Sequence, residues 1–530
     1  MSVEARSAVP APFSITPSWY WSGDDGAWAT FSIAVGTPPQ SFHILPSTTG
    51  AETWVPIPEG CEGILTNIPD CGILRGVEEG RGFETNASST WNLLGIYELE
   101  TEQNLWGPTG NPGQYGLDTV SLKSYPSGEH LELSSQTVAG VATANVWLGS
   151  VGLGIADGSF ANVKQGIPSL LETMKSQNYT PSRSFGYAAG ASYSAPQDYG
   201  SLILGGYDQA RFVPSHLNFS LGGTESKTLP LSIASIIAEN TIQGTLALLP
   251  GGDAITTIID STVAQMWLPQ NVCDLFAQAF GLTYDTSTGM YLVNSTIHRQ
   301  LVESNPTVTF AIGSTAQSSS TSNIELPYTA FDLQAGIPLF NTSTNYFPLR
   351  VAANESQQVL GRAFLQEAYI FVDWDREYFT IGQAIHQNST TNIVPVLSPS
   401  SDSATGGKSS GIGTGAIAGI AIGACAVIAA LVGLAAFLVM RSRKRQRAAK
   451  AKGEMPMELH SDHIKPPEIM SAQVYELQEG ENSKHELHGT HAKPLLELQA
   501  DTPEQELDGD GERFGRYGWD KKPNTYYELP

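Results

Sequence analysis

Between residues 27 and 386 apolar and polar positions alternate over short runs, the period-two pattern of strands with one face buried. Trp28–Gly36 (WATFSIAVG) leads into a Pro38-Pro39 turn, and Gly200–Gly206 (GSLILGG) and Ala368–Gly382 (AYIFVDWDREYFTIG) read the same way. Helical periodicity is brief, as in Pro168–Gln177 (PSLLETMKSQ) and Asn271–Gly281 (NVCDLFAQAFG). The pattern predicts a mainly β architecture with short helices between turn-rich loops.

One stretch breaks this pattern. Ile412–Met440 holds no charged residue and no proline, and Arg441, Arg443, Lys444, Arg445, Arg447, Lys450 and Lys452 follow it. A membrane-spanning helix needs about 20 apolar residues, and clustered positive charge marks the cytoplasmic end. The expected topology is a single-pass membrane protein with residues 1–411 outside and 441–530 in the cytoplasm, at the plasma membrane or cell surface. Asn-x-Ser/Thr sequons agree: Asn86, Asn178, Asn218, Asn294, Asn341, Asn354 and Asn388 all precede the span. The first 21 residues carry no apolar core of a secretory leader, so either the natural chain starts further upstream, the favoured expectation, or the span itself directs export.

Composition sharpens this outline. The 28 Lys and Arg against 52 Asp and Glu leave a formal charge of −24. Phosphate binding needs a basic face, which excludes nucleic acid as a partner. The 53 Gly and 32 Pro suit many strands joined by turns. Cys61 and Cys71 stand ten positions apart in a Pro/Gly-rich loop that a disulfide closes readily in an oxidising compartment. Cys273 and Cys425 are expected as buried thiols. Residues 387–411 read as a Ser/Gly-rich stalk and 441–530 as a disordered acidic tail. The tail repeats a Glu-Leu unit, at Glu458, Glu476, Glu486, Glu497 and Glu528. Docking motifs for cytoplasmic partners and compositional drift account for it equally well.

Two segments carry chemistry. Val35–Val55 runs Gly-Thr-Pro-Pro-Gln, a strand, Ser47-Thr48-Thr49, then Trp54-Val55; Ile258–Pro269 contains Asp260-Ser261-Thr262. Tyr115–Val120, Gly152–Gly154, Pro168–Leu171, Gly200–Asp208 and Leu360–Leu365 follow the same order as in one known family. Together they resemble the pepsin-like aspartic proteases (peptidase A1), and look closest to fungal membrane-anchored members with a degenerate active site. The resemblance implies a bilobal β fold around a long cleft, each lobe supplying one active-site loop, followed by the span and tail. The expected boundaries are 1–26 for an N-terminal segment, 27–210 and 211–386 for the lobes, 387–411, 412–440 and 441–530. The resemblance also places a small disulfide at Cys61–Cys71.

In that family two aspartates share a proton across a bound water, one as base and the other as acid. Here the first position is Ser47, whose hydroxyl titrates far above working pH, while Asp260 keeps the second. Thr49 and Thr262 replace glycines of the family pattern; Thr48 and Ser261 keep the hydroxyls that brace the loops. The family's flap tyrosine falls on Trp106. Glu52 and His43 are the other groups near the first loop, and neither is expected to reach the cleft. No metal-ligand spacing and no cofactor motif is present.

Three readings follow. The favoured one is a proteolytically inactive, membrane-anchored ectodomain whose cleft holds a peptide or cell-wall ligand. The alternatives are an active membrane-bound aspartic endopeptidase and a purely structural wall glycoprotein. Gly411, Gly415, Gly419 and Gly423 recur every fourth residue and mark a face for a homodimer, with mere glycine abundance weighing equally. The basic run after the span would meet anionic membrane lipid.

Overall fold

The computed structural model describes residues 9–399, except 100–110, 162, 223–227, 317, 319 and 387–389. The expected membrane span Ile412–Met440, the basic run, the tail, Cys425, Asn388 and Trp106 lie outside the described residues. Among the described residues no helix is long and apolar enough to cross a membrane.

The alternating segments form strands whose inward residues make a continuous core. In the first half, Trp28–Val35 pairs antiparallel with Gln40–Ser47 through the Pro38-Pro39 turn. An eight-stranded sheet grows from this hairpin, and Trp28–Val35 also pairs with Pro112–Lys123, which curls the sheet on itself. The second half builds another eight-stranded system around Pro230–Thr241, with a four-stranded sheet from Thr283 to Phe347 beside it. A six-stranded sheet draws on both halves, with Ser184–Ala188 next to Ala368–Asp373. The Trp374 indole N–H donates to the Leu153 carbonyl at 2.8 Å across this junction. The fold is mainly β, as the alternation predicts, and bilobal, as the resemblance implies.

Each half positions its loop with the same device. Gln40–Ser47 lies parallel to Gly149–Gly152, which pairs antiparallel with Thr53–Pro56 on its other side. Ile255–Ile259 lies parallel to Val359–Leu360, which pairs antiparallel with Met266–Leu268. A strand therefore slots between the two arms of each loop and fixes its path. The short helices sit where the periodicity predicts them, at Leu170–Ser176 and Gln270–Phe280. Ser169 caps the first by accepting the Glu172 N–H, and Gly281, at φ 65°, ends the second where a side chain would be strained.

The folded unit extends beyond the boundaries expected from the sequence. Phe13–Ser14 pairs with Ile203 and Leu204, and Pro17–Ser22 joins the first sheet, so residues 13–22 of the N-terminal segment are part of the fold. Ile393–Pro395, placed in the stalk by composition, pairs antiparallel with Gly206–Asp208. Short edge strands carry too little periodicity to be read, and their register comes from the open sheet edges they cover.

Cys61 and Cys71 form the expected disulfide, and Cys273 is a free buried thiol pushed up to about 12 by burial. Nearby, the fully buried Arg75 donates to the carbonyls of Val141, Thr143, Val146 and Trp147 and holds that loop against the disulfide helix. Asn86, Asn178, Asn218, Asn294, Asn341 and Asn354 are all exposed.

The C-terminal edge of the six-stranded sheet is pinned by charge. His386 Nδ1 lies 2.9 Å from Asp198 and its Nε2 3.2 Å from Glu367, while Arg211 pairs with Asp198 at 3.0 Å. Burial alone would depress the imidazole, but the two carboxylates more than offset it and raise its pKa to about 9. A histidine raised from its ordinary value near 6.5 contributes stability that is complete below that value and lost as pH rises through about 9. The prediction is that His386→Gln lowers unfolding stability in urea by on the order of 2 kcal/mol at pH 6. The gap to the unsubstituted protein closes at pH 10, and an equal gap at both pH values would refute the assignment.

Candidate active site

The two loops meet at the junction of the halves. Ser47 ends the strand Gln40–Ser47 and Asp260 follows Ile255–Ile259 directly, so each stands at the tip of a strand clamped on both sides. Ser47, Thr48, Asp260 and Ser261 are all buried. The Thr48 N–H donates to Ser261 Oγ at 3.0 Å, and the Ser261 N–H donates to Thr48 Oγ1 at 3.1 Å. Ser261 Oγ in turn donates to the Pro46 carbonyl at 2.6 Å. Each hydroxyl thus satisfies a buried N–H of the opposite loop, an arrangement that locks the relative position of the two tips.

The contents of the tips differ. Asp260 Oδ1 accepts the Thr262 N–H at 2.9 Å and the Thr262 hydroxyl at 2.6 Å. The Thr262 hydroxyl therefore adds a second donor that holds the carboxylate. Opposite it, Ser47 Oγ accepts the Gly50 N–H at 2.9 Å. A Cβ on Gly50 would stand 2.6 Å from that oxygen, so the turn admits only glycine there without displacing Ser47.

Other acids are engaged elsewhere. Glu52 accepts from the Tyr115 hydroxyl at 2.8 Å and lies 3.4 Å from the Trp54 indole nitrogen. His43 pairs with Glu78 at 3.1 Å and stacks on Tyr20. Sequence reasoning assigned no role to Arg362, although Leu360–Leu365 belongs to the pattern that carries the resemblance. Its guanidinium donates to the Ser261 and Thr262 carbonyls at 2.9 and 3.0 Å, reaches Asp25 at 3.6 Å, and packs over the Trp28 ring. Asp24 and Asp25 were missed as well, because their Ser-Gly-Asp-Asp-Gly setting reads as an ordinary turn. Burial, and then repulsion from Asp25, hold the Asp24 carboxyl well above the usual carboxylate range.

A cavity of about 580 Å³ opens beside the Asp260 loop, lined among others by Thr262, Val263, Asp24, Trp28, Trp147 and Arg350. Its size falls within the range of small-ligand sites. No group of three or more His, Cys, Asp or Glu among the described residues is arranged to hold a metal ion.

Paired loops at strand tips, braced hydroxyl to backbone at the junction of two β-rich halves, define a pepsin-like aspartic protease fold. The chain belongs to the eukaryotic aspartyl protease family, whose model matches residues 30–384. It is 25% identical over 346 residues to Pepsin B of Canis lupus familiaris, spanning 64% of this chain and 77% of that protein. It is 21% identical over 398 residues to the aspartic proteinase yapsin-3 of Saccharomyces cerevisiae, spanning 71% and 70%. Among solved structures, the aspartic proteinase from Irpex lacteus shares 15% identity at a TM-score of 0.48, covering 72% of this chain and all of that one.

Thr48 gives the test of the brace. Thr48→Val keeps the shape but leaves the buried Ser261 N–H without its acceptor, at an expected cost of about 1–3 kcal/mol. The denaturation midpoint should fall with an unchanged denaturant slope; an unshifted midpoint would mean the brace contributes nothing.

Proposed function

We propose that this protein is a non-catalytic member of its family, a membrane-anchored and glycosylated ectodomain whose cleft holds a peptide or cell-wall ligand at the cell surface. The observation that carries the reading is Ser47. Aspartic proteolysis needs a second carboxylate to exchange a proton with the first across the attacking water. The Ser47 hydroxyl accepts the Gly50 N–H and, because it does not ionise at working pH, cannot take the part of a carboxylate in that exchange. Glu52 is turned to Tyr115, which supports the same conclusion.

The brace between Thr48 and Ser261 is the part of the site that holds shape, and it is intact. Retained scaffolding around absent chemistry supports binding without turnover. Anchoring rests on the apolar stretch Ile412–Met440 and the basic residues after it, with Gly411, Gly415, Gly419 and Gly423 offering a face for a homodimer. The tail would then meet cytoplasmic partners.

Family membership favours the competing reading of an active aspartic endopeptidase, and one assay separates the two. The purified full chain is incubated in detergent with an unfolded protein substrate from pH 3 to 7, with and without pepstatin, beside Asp260→Ala. No cleavage by the folded protein at any pH is expected. Pepstatin-sensitive cleavage abolished by Asp260→Ala would overturn the proposal.

A further inference from the structure

At one edge of the six-stranded sheet, Ala368–Asp373, Tyr378–Gln383 and Phe219–Ser220 lie side by side. Val372, Phe379 and Phe219 stand in register across them and are buried in the main core. Side chains alternate along a strand, so Phe371, Tyr378 and Thr380 rise from the opposite, outer face. Asn218 and Ser220 are exposed on either side of the buried Phe219. The same alternation therefore turns Asn218, which begins the sequon Asn218-Phe219-Ser220, toward that outer face.

The outer face is only partly covered. Tyr207 packs on Phe371 at a ring distance of 4.8 Å, and Val396 joins the same small apolar cluster. Beside them runs an open groove of about 480 Å³. The half-buried Tyr207 and Tyr378 line it together with Gln209, Thr380 and Arg376. Asn218 lines it too, and no other described sequon asparagine lines this groove or the cavity beside the Asp260 loop. Aromatic rings amid polar side chains call for an amphipathic occupant close at hand. The chain that follows does not supply one, since residues 400–411 carry a single apolar side chain, Ala404.

We infer that this groove seats the first sugars of an N-linked glycan carried by Asn218. An N-acetylglucosamine ring offers an apolar C–H face to the tyrosine rings. Its hydroxyl and amide groups suit Gln209, Thr380 and Arg376. Covalent attachment on the lining holds the sugar at high effective concentration, so individually weak contacts suffice to seat it. The seated glycan covers Val394–Leu397, the far wall of the groove and the last part of the folded unit before the stalk. The inference rests on the proposed reading that the ectodomain is glycosylated, and it names the one glycan that is part of the packing.

The full chain is made in a eukaryotic secretory host, purified in detergent and treated, still folded, with a peptide-N-glycosidase. Peptide mass spectrometry follows release at each sequon. Release at Asn218 is expected to be about tenfold slower than at Asn86, Asn294 and Asn341, and to match them after denaturation. Tyr378→Ser removes one ring from the groove and should speed release at Asn218 by about threefold or more without changing the other sites. Thermal melting confirms that this variant is folded. In parallel, Asn218→Gln should speed hydrogen exchange in residues 394–397, and Asn86→Gln should not; this comparison decides the matter if Tyr378→Ser does not fold. Release at Asn218 as fast as elsewhere, slow release that Tyr378→Ser leaves unchanged, or exchange that Asn218→Gln leaves unchanged would each overturn the inference. A bare Asn218 beside glycans at other sequons would overturn it too, and leave the glycosylated reading standing. If no sequon carries a glycan, that reading falls with it.

Discussion

The reciprocal hydrogen bonds between Thr48 and Ser261 are the constraint on which the rest of the site depends. Each loop tip has a buried N–H that its own half cannot satisfy, and each finds its acceptor on the other half. The two halves are thereby held in one register at their point of contact. The Trp374–Leu153 bond and the shared six-stranded sheet extend that register away from the loops. An intact brace explains how the two loops keep one form although one carries Ser47 and the other Asp260. The hydroxyls that build the junction are chemically separate from the carboxylates that would work in it.

Buried guanidiniums perform a second structural task. Arg75 gathers four carbonyls of the 141–147 loop, and Arg362 gathers those of Ser261 and Thr262. Both satisfy backbone acceptors, those of Thr143, Val146, Trp147, Ser261 and Thr262 lying outside any strand, which is how irregular loops become burial-compatible. Both also lie near Asp24 and temper its rise, although burial and Asp25 prevail. The same arginine that steadies the Asp260 loop therefore shapes the charge of the cavity beside it. Loop geometry and the charge of the cavity are coupled through one side chain.

Much of the fold was legible because alternation and turn chemistry are local. Trp28–Val35 and Gln40–Ser47 announce a hairpin by period and by the intervening prolines, and Ser169 announces its helix by a capping serine three residues before a glutamate. The edge strands Phe13–Ser14 and Ile393–Pro395 were not legible, since two or three residues carry no period and their pairing is decided by what edge is open. Arg362 was visible as a letter in a recognisable segment, but its partners lie about a hundred residues away in the Asp260 loop and further still at Asp25.

By itself the sequence determined the strand content, the two loops, the serine at the first of them and the aspartate at the second, because these are matters of residue type and local spacing. Only the tertiary structure decided that Glu52 is spent on Tyr115 and that Thr262 grips Asp260. It alone also brought Asp24, Asp25 and four tryptophans around one cavity. Side-chain direction and the meeting of distant segments follow from packing of the whole core, a property that no short window of the chain contains.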